Sequence, residues 1–515
     1  MSVPAEIRAV PRPKNTVVVP SGNGYRVRQR VGCRNVDGRR VPVDGGYIGS
    51  IVDGKYVPDG PLKRTGSTGR VDIKYYGRVR LCDMLNSDVL GMLLKHYNEE
   101  ESAQIYCMAM LRACYPGVRD YHLRDRYLES YVSVMYPGVR MGKNDVSKEQ
   151  ANLGREYSRI RAFMRERVAR LEHNGTLVID GCLKRNHSRV DTLSQVSRKT
   201  SARKHKDSLM MYAYDPDRRE PVCSKIYPGN MVDSRAVKDF IETNGIVSGL
   251  IVADRGFTLS AVEEAIGGRK GLHYLLPLKS DSSLISEYGM YSFDRTFFDE
   301  GPVECRKVEA EGFWMYSFRD VQRAKEEEEQ YLLDHQDGSG LGSLESMRRE
   351  FGTFVFQCDL DAPPSKIYTV YQERWLIELL FKFYQTELDM DDTRVNTDFS
   401  DIGSEFVDFL AALMGSRMLN AFQDDEVTRT WTFKTAMNFM EKAKMVRVGD
   451  SDDWEMNRLP LVDAEVLSRF GLIEKPVVPV EIRKKGRPPG RKDSRPRKTR
   501  SDKGVPRGRK SDGIV

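Results

Sequence analysis

The spacing of apolar residues divides the chain into a β-rich start, a helical stretch and a mixed α/β body. Residues 12–80 hold short apolar runs separated by Gly, Pro and Asp-Gly pairs, which predicts short strands joined by tight turns. From about residue 84 to 173 the apolar positions follow the helical period. Residues 175–400 show both patterns in turn, so we expect alternating strands and helices there.

The order of elements within residues 175–400 is specific. Three consecutive strands precede a helix, a strand, a helix, a strand and, after an insertion at about 281–365, a long final helix. The predicted segments are strands at 176–182, 208–215 and 221–229, a helix at 233–245, a strand at 249–257, a helix at 259–268, a strand at 273–279 and a helix at 365–388. This is the element order of the ribonuclease H fold, an α/β fold with a mixed sheet flanked by helices.

Net charge is distributed unevenly along the chain. Residues 1–80 hold 16 Lys and Arg against 6 Asp and Glu, and residues 483–515 hold 14 against 3. The two ends therefore carry net charges of +10 and +11, and the residues between them carry −14 within a total of +7. Lys and Arg gain free energy by releasing phosphate counterions, so the basic ends indicate polyanion binding. Ordinary solvated surface charge is the alternative.

One basic segment lies in a predicted strand near the start of the chain. Alternation along residues 25–31 places Arg26, Arg28 and Arg30 on one face of that strand. Such a face can follow a row of phosphates, and a solvated strand face is the alternative.

The second basic segment is the tail beyond Ile482, which has almost no apolar residues and is expected to be disordered when free. Residues 484–492 read KKGRPPGRK and resemble an AT-hook. In that arrangement Arg487 enters the narrow minor groove of A·T-rich DNA while the flanking cations contact phosphates. A generic basic solubilising tail is the alternative.

The cysteines and the hydropathy pattern exclude several classes of protein. No C-x-x-C pair or nearby His at zinc-finger spacing accompanies the eight cysteines, which predicts reduced thiols rather than disulfides or a zinc site; they stand at 33, 82, 107, 114, 182, 223, 305 and 358. No apolar run approaches the roughly 18–20 residues that span a bilayer, and no signal segment is evident. We expect a cytoplasmic protein that does not enter a membrane.

Two aspartates are candidates for a metal site. Asp180 and Asp254 each follow an apolar run at the end of the first and fourth predicted strands, and a glycine lies close after each, at 181 and 256. These two strands are neighbours in the ribonuclease H sheet. Carboxylates forced together repel each other unless cations lie between them, so a divalent metal site is expected. An ordinary turn is the alternative for either aspartate alone.

The predicted final helix carries a polar stripe. At about 100° per residue one narrow face holds Tyr371, Arg374, Glu378, Lys382 and Gln385. The residues expected to pack on the sheet are Trp375, Leu376, Leu379, Leu380 and Phe383. Glu378 would then point to the metals. Arg374 either clamps a phosphate or forms an ordinary salt bridge with Glu378.

These residues resemble the DDE transposases of bacterial and archaeal insertion sequences, in the group with a Tyr-Arg-Glu-Lys signature, the insertion sequence four-like superfamily. The matching helix is Tyr371-x-x-Arg374-x-x-x-Glu378, continued by RWLIELLF from 374 to 381. Other matching stretches are IDG at 179–181, YPGN at 227–230 followed by Asp233, and ADRGF at 253–257. The resemblance covers about 175–415.

The resemblance implies an enzyme that cleaves DNA at the ends of its mobile element and joins them to target DNA by metal-dependent phosphoryl transfer. It implies that Asp180, Asp254 and Glu378 are catalytic and bind two Mg²⁺ ions, for which Mn²⁺ substitutes. It further implies a cytoplasmic, nucleoid-associated protein of a prokaryotic cell. Its partners would be double-stranded DNA, as terminal inverted repeats and target, and a second copy of the chain in a homodimer.

The resemblance also implies DNA contacts from Tyr371 and Arg374 near the cleavage site. The signature Lys is expected seven residues after the Glu, where this chain has Gln385, and Lys382 one turn earlier is the candidate replacement.

The predicted organisation is a β-rich DNA-binding segment at 1–80, a helical connector at 81–174, a ribonuclease H-like catalytic domain at 175–420, a helical region at 421–482 and a disordered basic tail at 483–515. Two other functions stay open: a metal nuclease of the same fold without strand transfer, and a domesticated, non-catalytic DNA-binding protein.

Overall fold

The computed structural model describes residues 3–22, 24–36, 39–58, 71–171, 175–197, 205–231, 233–252, 259–335, 344–393, 395–449 and 453–475. Asp254 and Arg487, both singled out by the sequence, lie outside these ranges, as does the basic tail.

The strands are β1 (Thr16–Ser21), β2 (Gly24–Val36), β3 (Arg39–Val52), β4 (Lys55–Pro58), β5 (Val71–Tyr75), β6 (Thr176–Asn186), β7 (Asp207–Asp215), β8 (Glu220–Pro228), β9 (Ser248–Val252), β10 (Gly271–Pro277), β11 (Arg295–Phe298), β12 (Pro302–Ala310), β13 (Phe313–Asp320), β14 (Thr353–Cys358), β15 (Asp392–Thr393), β16 (Lys444–Val448) and β17 (Glu455–Met456).

The helices are α1 (Ala5–Ala9), α2 (Gly77–His96), α3 (Glu99–Cys114), α4 (Leu123–Glu129), α5 (Val132–Met135), α6 (Lys143–Arg155), α7 (Tyr157–Val168), α8 (Asp233–Asn244), α9 (Leu259–Ile266), α10 (Ser283–Glu287), α11 (Val321–Asp334), α12 (Leu344–Met347), α13 (Pro364–Glu373), α14 (Trp375–Lys382), α15 (Asp398–Asp424), α16 (Phe433–Met440) and α17 (Leu461–Arg469). A 3-10 turn spans Asp120–His122, and a π-helical turn at Phe383–Glu387 continues α14.

The N-terminal strands β1 to β4 form an antiparallel sheet in sequence order. This sheet has a small hydrophobic core of its own, which includes Val18, Val27 and Ile51. Asp53 and Gly54 connect β3 to β4 with φ values of 49° and 72°, the conformation of a tight hairpin turn. The predicted β-rich start with an Asp-Gly turn is therefore confirmed for these residues.

A ten-stranded mixed sheet forms the centre of the fold, in the order β11-β12-β13-β14-β10-β9-β6-β7-β8 with β15 beside β6. Strands β6, β7 and β8 pair antiparallel, whereas β6 pairs parallel with β9, and β9 with β10. The first and fourth strands of this domain are thus neighbours, as the ribonuclease H fold requires. The predicted fold class is confirmed.

The insertion at about 281–365 extends the central sheet. Leu275 of β10 pairs antiparallel with Cys358 of β14, and β13, β12 and β11 follow outward. A strand at the edge of a sheet exposes unpaired backbone groups, and β14 pairs those of β10. The insertion also has a core of its own around Ile285, Met290 and Met315.

Helix α15 lies between the sheet and the N-terminal helices. On the sheet side, the Phe409 ring lies 6.0 Å from the ring of Tyr212 in β7. On the other side, α15 crosses α6 with its backbone in contact: a Cβ on Gly403 would lie 1.9 Å from the Gln150 carbonyl oxygen. The helices α2 to α7 therefore share one continuous hydrophobic core with the central sheet.

Strand β5 pairs with the C-terminal part of the chain. Tyr75 lies opposite Lys444 of β16, and β16 also pairs with β17. The strand predicted at 71–80 ends at Tyr75, because α2 begins at Gly77. The region predicted to be helical at 421–482 also holds β16 and β17, which form one small sheet with β5.

Candidate active site

Asp180 follows the most buried stretch of β6. Leu177, Val178 and Ile179 are at most 2% exposed, and Asp180 is half-buried. Its Oδ1 accepts a hydrogen bond of 2.7 Å from the Gly181 backbone N–H. The apolar run therefore anchors the strand, and the Asp180 carboxyl group lies where the strand becomes less buried.

The parallel pairing of β6 with β9 continues to Val178 and Val252, the last described pair. Asp180 stands two residues after Val178 and Asp254 two residues after Val252 in the sequence. Asp254 itself lies outside the described residues, so its position relative to Asp180 is a prediction.

The face of β6 that carries Asp180 is the face covered by α14. In the antiparallel register with β7, Asp180 lies opposite Tyr212, and directly opposite residues point to the same side of a sheet. The Tyr212 ring lies 5.8 Å from Phe381 of α14. The strand of Asp180 and the helix of Glu378 are therefore packed against each other.

Glu378 lies at the border between the buried and exposed sides of α14, with its side chain 38% exposed. Its Oε1 lies 2.8 Å from Arg374 Nη2 and 3.4 Å from Nη1. The salt bridge that the sequence left as an alternative role for Arg374 is thus present. The carboxylate keeps access to solvent while its charge is balanced.

The prediction of which α14 residues pack on the sheet is partly wrong. Trp375 and Leu379 are 58% and 41% exposed, whereas Leu380 and Phe383 are buried as expected. The buried side is centred instead on Ile377, Leu380, Phe381 and Tyr384. The physical reason is that α14 is apolar except at Glu378 and Lys382, so more than one rotation would bury apolar side chains. The buried side therefore lies beside the polar stripe, not opposite it.

The other residues of the stripe have different surroundings. The Tyr371 ring packs on Phe354 and Phe356 of β14, with centroids 5.3 and 4.5 Å apart. Lys382 is exposed and Gln385 is half-buried. Lys382 is therefore the stripe residue most accessible to a large ligand.

The donor chemistry of Asp180 and Glu378 fits a hard divalent cation, because both offer carboxylate oxygens and neither is fully buried. Across the described ranges, no three His, Cys, Asp or Glu side chains gather as a metal site. The sequence predicts Asp254, which lies outside those ranges, as a third ligand.

A buried ionic network beside this site was missed by the sequence reasoning. Lys184 Nζ contacts Tyr384 Oη at 2.9 Å, Asp408 Oδ2 at 2.7 Å and the Glu405 carboxylate. Arg112 Nη1 lies 2.5 Å from the other oxygen of Asp408. The available signal was a lysine in a buried strand together with two acids three residues apart in the apolar helix α15.

Burial raises the pKa of Glu405 above its ordinary value, whereas Lys184 and Asp408 keep their charges. Burial opposes the ammonium form of Lys184, but Asp408 and Glu405 outweigh it and raise the pKa of Lys184 above its ordinary value. Burial favours the neutral form of Asp408, but Arg112 and Lys184 lower the pKa of that carboxyl. Removing one member would therefore leave an uncompensated buried charge.

Two basic residues of β2 lie over one aromatic ring of β3, and a third faces an acid of the same strand. The guanidinium groups of Arg26 and Arg28 lie 4.3 and 5.3 Å from the Tyr47 ring centre, and Arg30 lies 3.8 Å from Asp44. Irregularities in the β2–β3 pairing follow Val27, and Val31 is 66% exposed. Simple alternation would bury Val31 with Val27, and the irregular pairing beyond Val27 instead leaves Val31 exposed.

The eight cysteines are all free thiols, as predicted. Among the described helices, none has the length and apolar character to cross a membrane.

Comparison with known proteins assigns the domain. Residues 173–399 match the family model described as the transposase DDE domain. A solved piggyBac transposase synaptic complex with hairpin DNA aligns at 12% identity with a TM-score of 0.38, over 71% of this chain and 80% of that one. No curated protein matches the chain. The matched residues begin just before β6 and include both Asp180 and Glu378. Residues 173–399 are therefore identified as a transposase DDE domain.

Proposed function

We propose that Asp180, Asp254 and Glu378 together bind two Mg²⁺ ions and that the enzyme cleaves its element's ends and joins them to target DNA. The observation that carries the proposal is the parallel pairing of β6 with β9 up to Val178 and Val252, with an aspartate two residues later on each strand. The packing of α14 on the Asp180 face of β6 supports Glu378 as the third ligand.

Asp180, Asp254 and Glu378 would hold the divalent cations, which when bound would supply activation of the attacking oxygen and stabilisation of the leaving oxygen in phosphoryl transfer. The protein's own side chains bind and orient the reactants. Asp180 lies within β6, and its carboxylate accepts a hydrogen bond from the Gly181 N–H, so it needs little reorganisation. Arg374 balances the charge of Glu378 before DNA binds and is placed to contact a phosphate next to it.

In this proposal the protein also contacts DNA at positions distant from the reacting phosphate. Lys382 contributes from the exposed side of α14, and Arg26, Arg28 and Arg30 contribute from β2. Tyr47 lies under two of those arginines and restricts their freedom, which lowers the entropic cost of holding a phosphate. Arg487 of the tail, outside the described residues, would add minor-groove contacts. The active complex would be a homodimer, in the cytoplasm with the nucleoid.

The test uses a supercoiled plasmid that carries the DNA flanking the gene, with its candidate inverted repeats. Purified protein and Mg²⁺ should release the element and insert it into a second plasmid. Nicks or breaks without insertion products would favour a metal nuclease of the same fold. A mobility shift without any cleavage would favour a non-catalytic DNA-binding protein.

A further inference from the structure

Lys184 connects the strand of Asp180 to the helical segment of Glu378. Its side chain is 2% exposed, and its Nζ lies 2.9 Å from Tyr384 Oη. Tyr384 belongs to the π-helical turn that directly continues α14. One direct hydrogen bond therefore joins the two elements that carry the described candidate ligands.

The connection lies beside the candidate site and not in it. Asp180 and Lys184 are four residues apart on one face of β6, about 13 Å along a strand. Tyr384 lies six residues after Glu378, about 9 Å along a helix. Neither Lys184 nor Tyr384 therefore reaches the reacting atoms, but both lie on the rigid elements that place the carboxylates.

Helix α15 fixes this connection from the other side. Lys184 Nζ contacts the Glu405 carboxylate and lies 2.7 Å from Asp408 Oδ2, and Tyr384 Oη lies 3.2 Å from Glu405 Oε2. Apolar packing alone lets a helix slide on a sheet at low cost, because dispersion contacts have little directionality. Hydrogen bonds weaken steeply when their geometry changes, so this buried set defines one position of the helix.

We propose that Lys184 and Tyr384 are positioning residues that hold α14 at one position on β6, so that Asp180 and Glu378 can share a divalent cation. The inference rests on the proposed function, since it takes Asp180 and Glu378 as ligands. It assigns Lys184 and Tyr384 no contact with DNA or with the cation.

The informative variant is Tyr384→Phe, which removes only the hydroxyl group. Lys184→Met would leave Glu405 and Asp408 buried without their cation, and the protein could fail to fold for that reason alone. Tyr212→Phe is the matched control, because Tyr212 is also 2% exposed and its ring lies 6.2 Å from that of Tyr384. Among the described residues, the Tyr212 hydroxyl has no hydrogen-bond partner.

The measurement is Mn²⁺ binding by the full-length protein without DNA, followed by the electron paramagnetic resonance signal of free Mn²⁺. We expect Tyr384→Phe to weaken Mn²⁺ affinity by roughly 3- to 10-fold, the equivalent of one net hydrogen bond. Tyr212→Phe should bind Mn²⁺ like the wild type. Cleavage by Tyr384→Phe should recover part of its rate at saturating Mn²⁺. Because Mn²⁺ binding would also offset a general loss of stability, thermal unfolding of the metal-free protein checks that Tyr384→Phe and Tyr212→Phe are equally stable.

Asp180→Ala distinguishes a failure of the proposed metal site from a failure of the positioning role. If Asp180→Ala binds Mn²⁺ like the wild type, the proposed metal site fails and the positioning role fails with it. If Asp180→Ala loses Mn²⁺ binding while Tyr384→Phe and Tyr212→Phe bind equally well, only the positioning role is wrong.

Discussion

Arg374 Nη2 lies 2.8 Å from Glu378 Oε1, so the candidate catalytic carboxylate has a cationic partner one helical turn before it. The pair is partly exposed, with 20% of the Arg374 side chain and 38% of the Glu378 side chain accessible. A divalent cation at Glu378 would compete with this contact. Arg374 would then be available to a phosphate beside the cation.

Arg374→Ala should remove most cleavage but change the free energy of unfolding by less than about 0.5 kcal/mol, because i,i+4 ion pairs contribute only a few tenths. Plasmid cleavage and urea denaturation measure the two effects. Arg323→Ala is the control, since Arg323 pairs with Glu327 at 2.7 Å in the same i,i+4 geometry on α11. Equal cleavage by both variants would make the Arg374 pair an ordinary salt bridge.

Ala at Asp180, Asp254 or Glu378 should each abolish strand cleavage, since two-metal phosphoryl transfer has no replacement for a missing ligand. Binding to element ends, measured by mobility shift, should survive because it depends on phosphate and base contacts. Asp389→Ala and Asp391→Ala serve as controls, as both side chains are exposed acids beyond the helix. A single ligand variant that cleaves at nearly the wild-type rate would remove that residue from the site.

Removal of metal with a chelator should stop cleavage. Mn²⁺ should restore it as Mg²⁺ does, because both prefer oxygen ligands in octahedral geometry. Ca²⁺ is larger and looser in its geometry, so it should support DNA binding with little cleavage. Cleavage that persists in the chelator would contradict metal dependence, and a plasmid assay with each ion in turn measures all three expectations.

Glu149→Gln should stabilise the protein above neutral pH. Glu149 is 8% exposed, and burial together with Glu101 and Glu156 raises its pKa to about 7. A carboxyl group whose pKa is higher in the folded state binds its proton more tightly there. Protonated Glu149 therefore contributes to the free energy of unfolding at low pH, and that contribution is lost as pH rises from about 4.5 to about 7.

The gain of Glu149→Gln over wild type should therefore grow between pH 5 and pH 8 to about 2 kcal/mol, from 1.36 kcal/mol per pKa unit with allowance for partial relaxation. Urea denaturation at both pH values measures it. Glu311→Gln, an exposed control, should show the same difference from wild type at both pH values. A pH-independent effect of Glu149→Gln would show that Glu149 ionises in the fold as it does in the unfolded chain.

Truncation after Ile482 should weaken non-specific DNA binding and flatten its dependence on salt. Log affinity falls with log salt by about 0.9 per phosphate contact, so the loss of about five tail cations should change the slope by several units. Affinity titrations at a series of salt concentrations measure the slope, and thermal unfolding checks that the fold is intact. An unchanged slope would mean that the tail does not contact DNA.

The sequence by itself determined the order of elements in the catalytic domain and the candidates Asp180 and Glu378. Strands β6 to β10 and helices α8 and α9 lie close to their predicted ranges. The physical reason is local: buried strands need continuous apolar runs and amphipathic helices need the helical period, and both are visible without knowledge of the neighbours. An Asp after an apolar run and a polar stripe on a helix are equally local signals.

Only the tertiary structure decided which side of α14 is buried and which partners Lys184 contacts. It also decided which strands pair with β5 and with the insertion. Helix α14 is apolar except at Glu378 and Lys382, so its sequence alone does not specify which apolar side packs on Tyr212 of β7. Strand β5 pairs with β16 more than 360 residues away, and Lys184 with Glu405 more than 220 residues away. Such partners follow from the packing of whole elements, because no local pattern specifies a contact between residues so far apart in the chain.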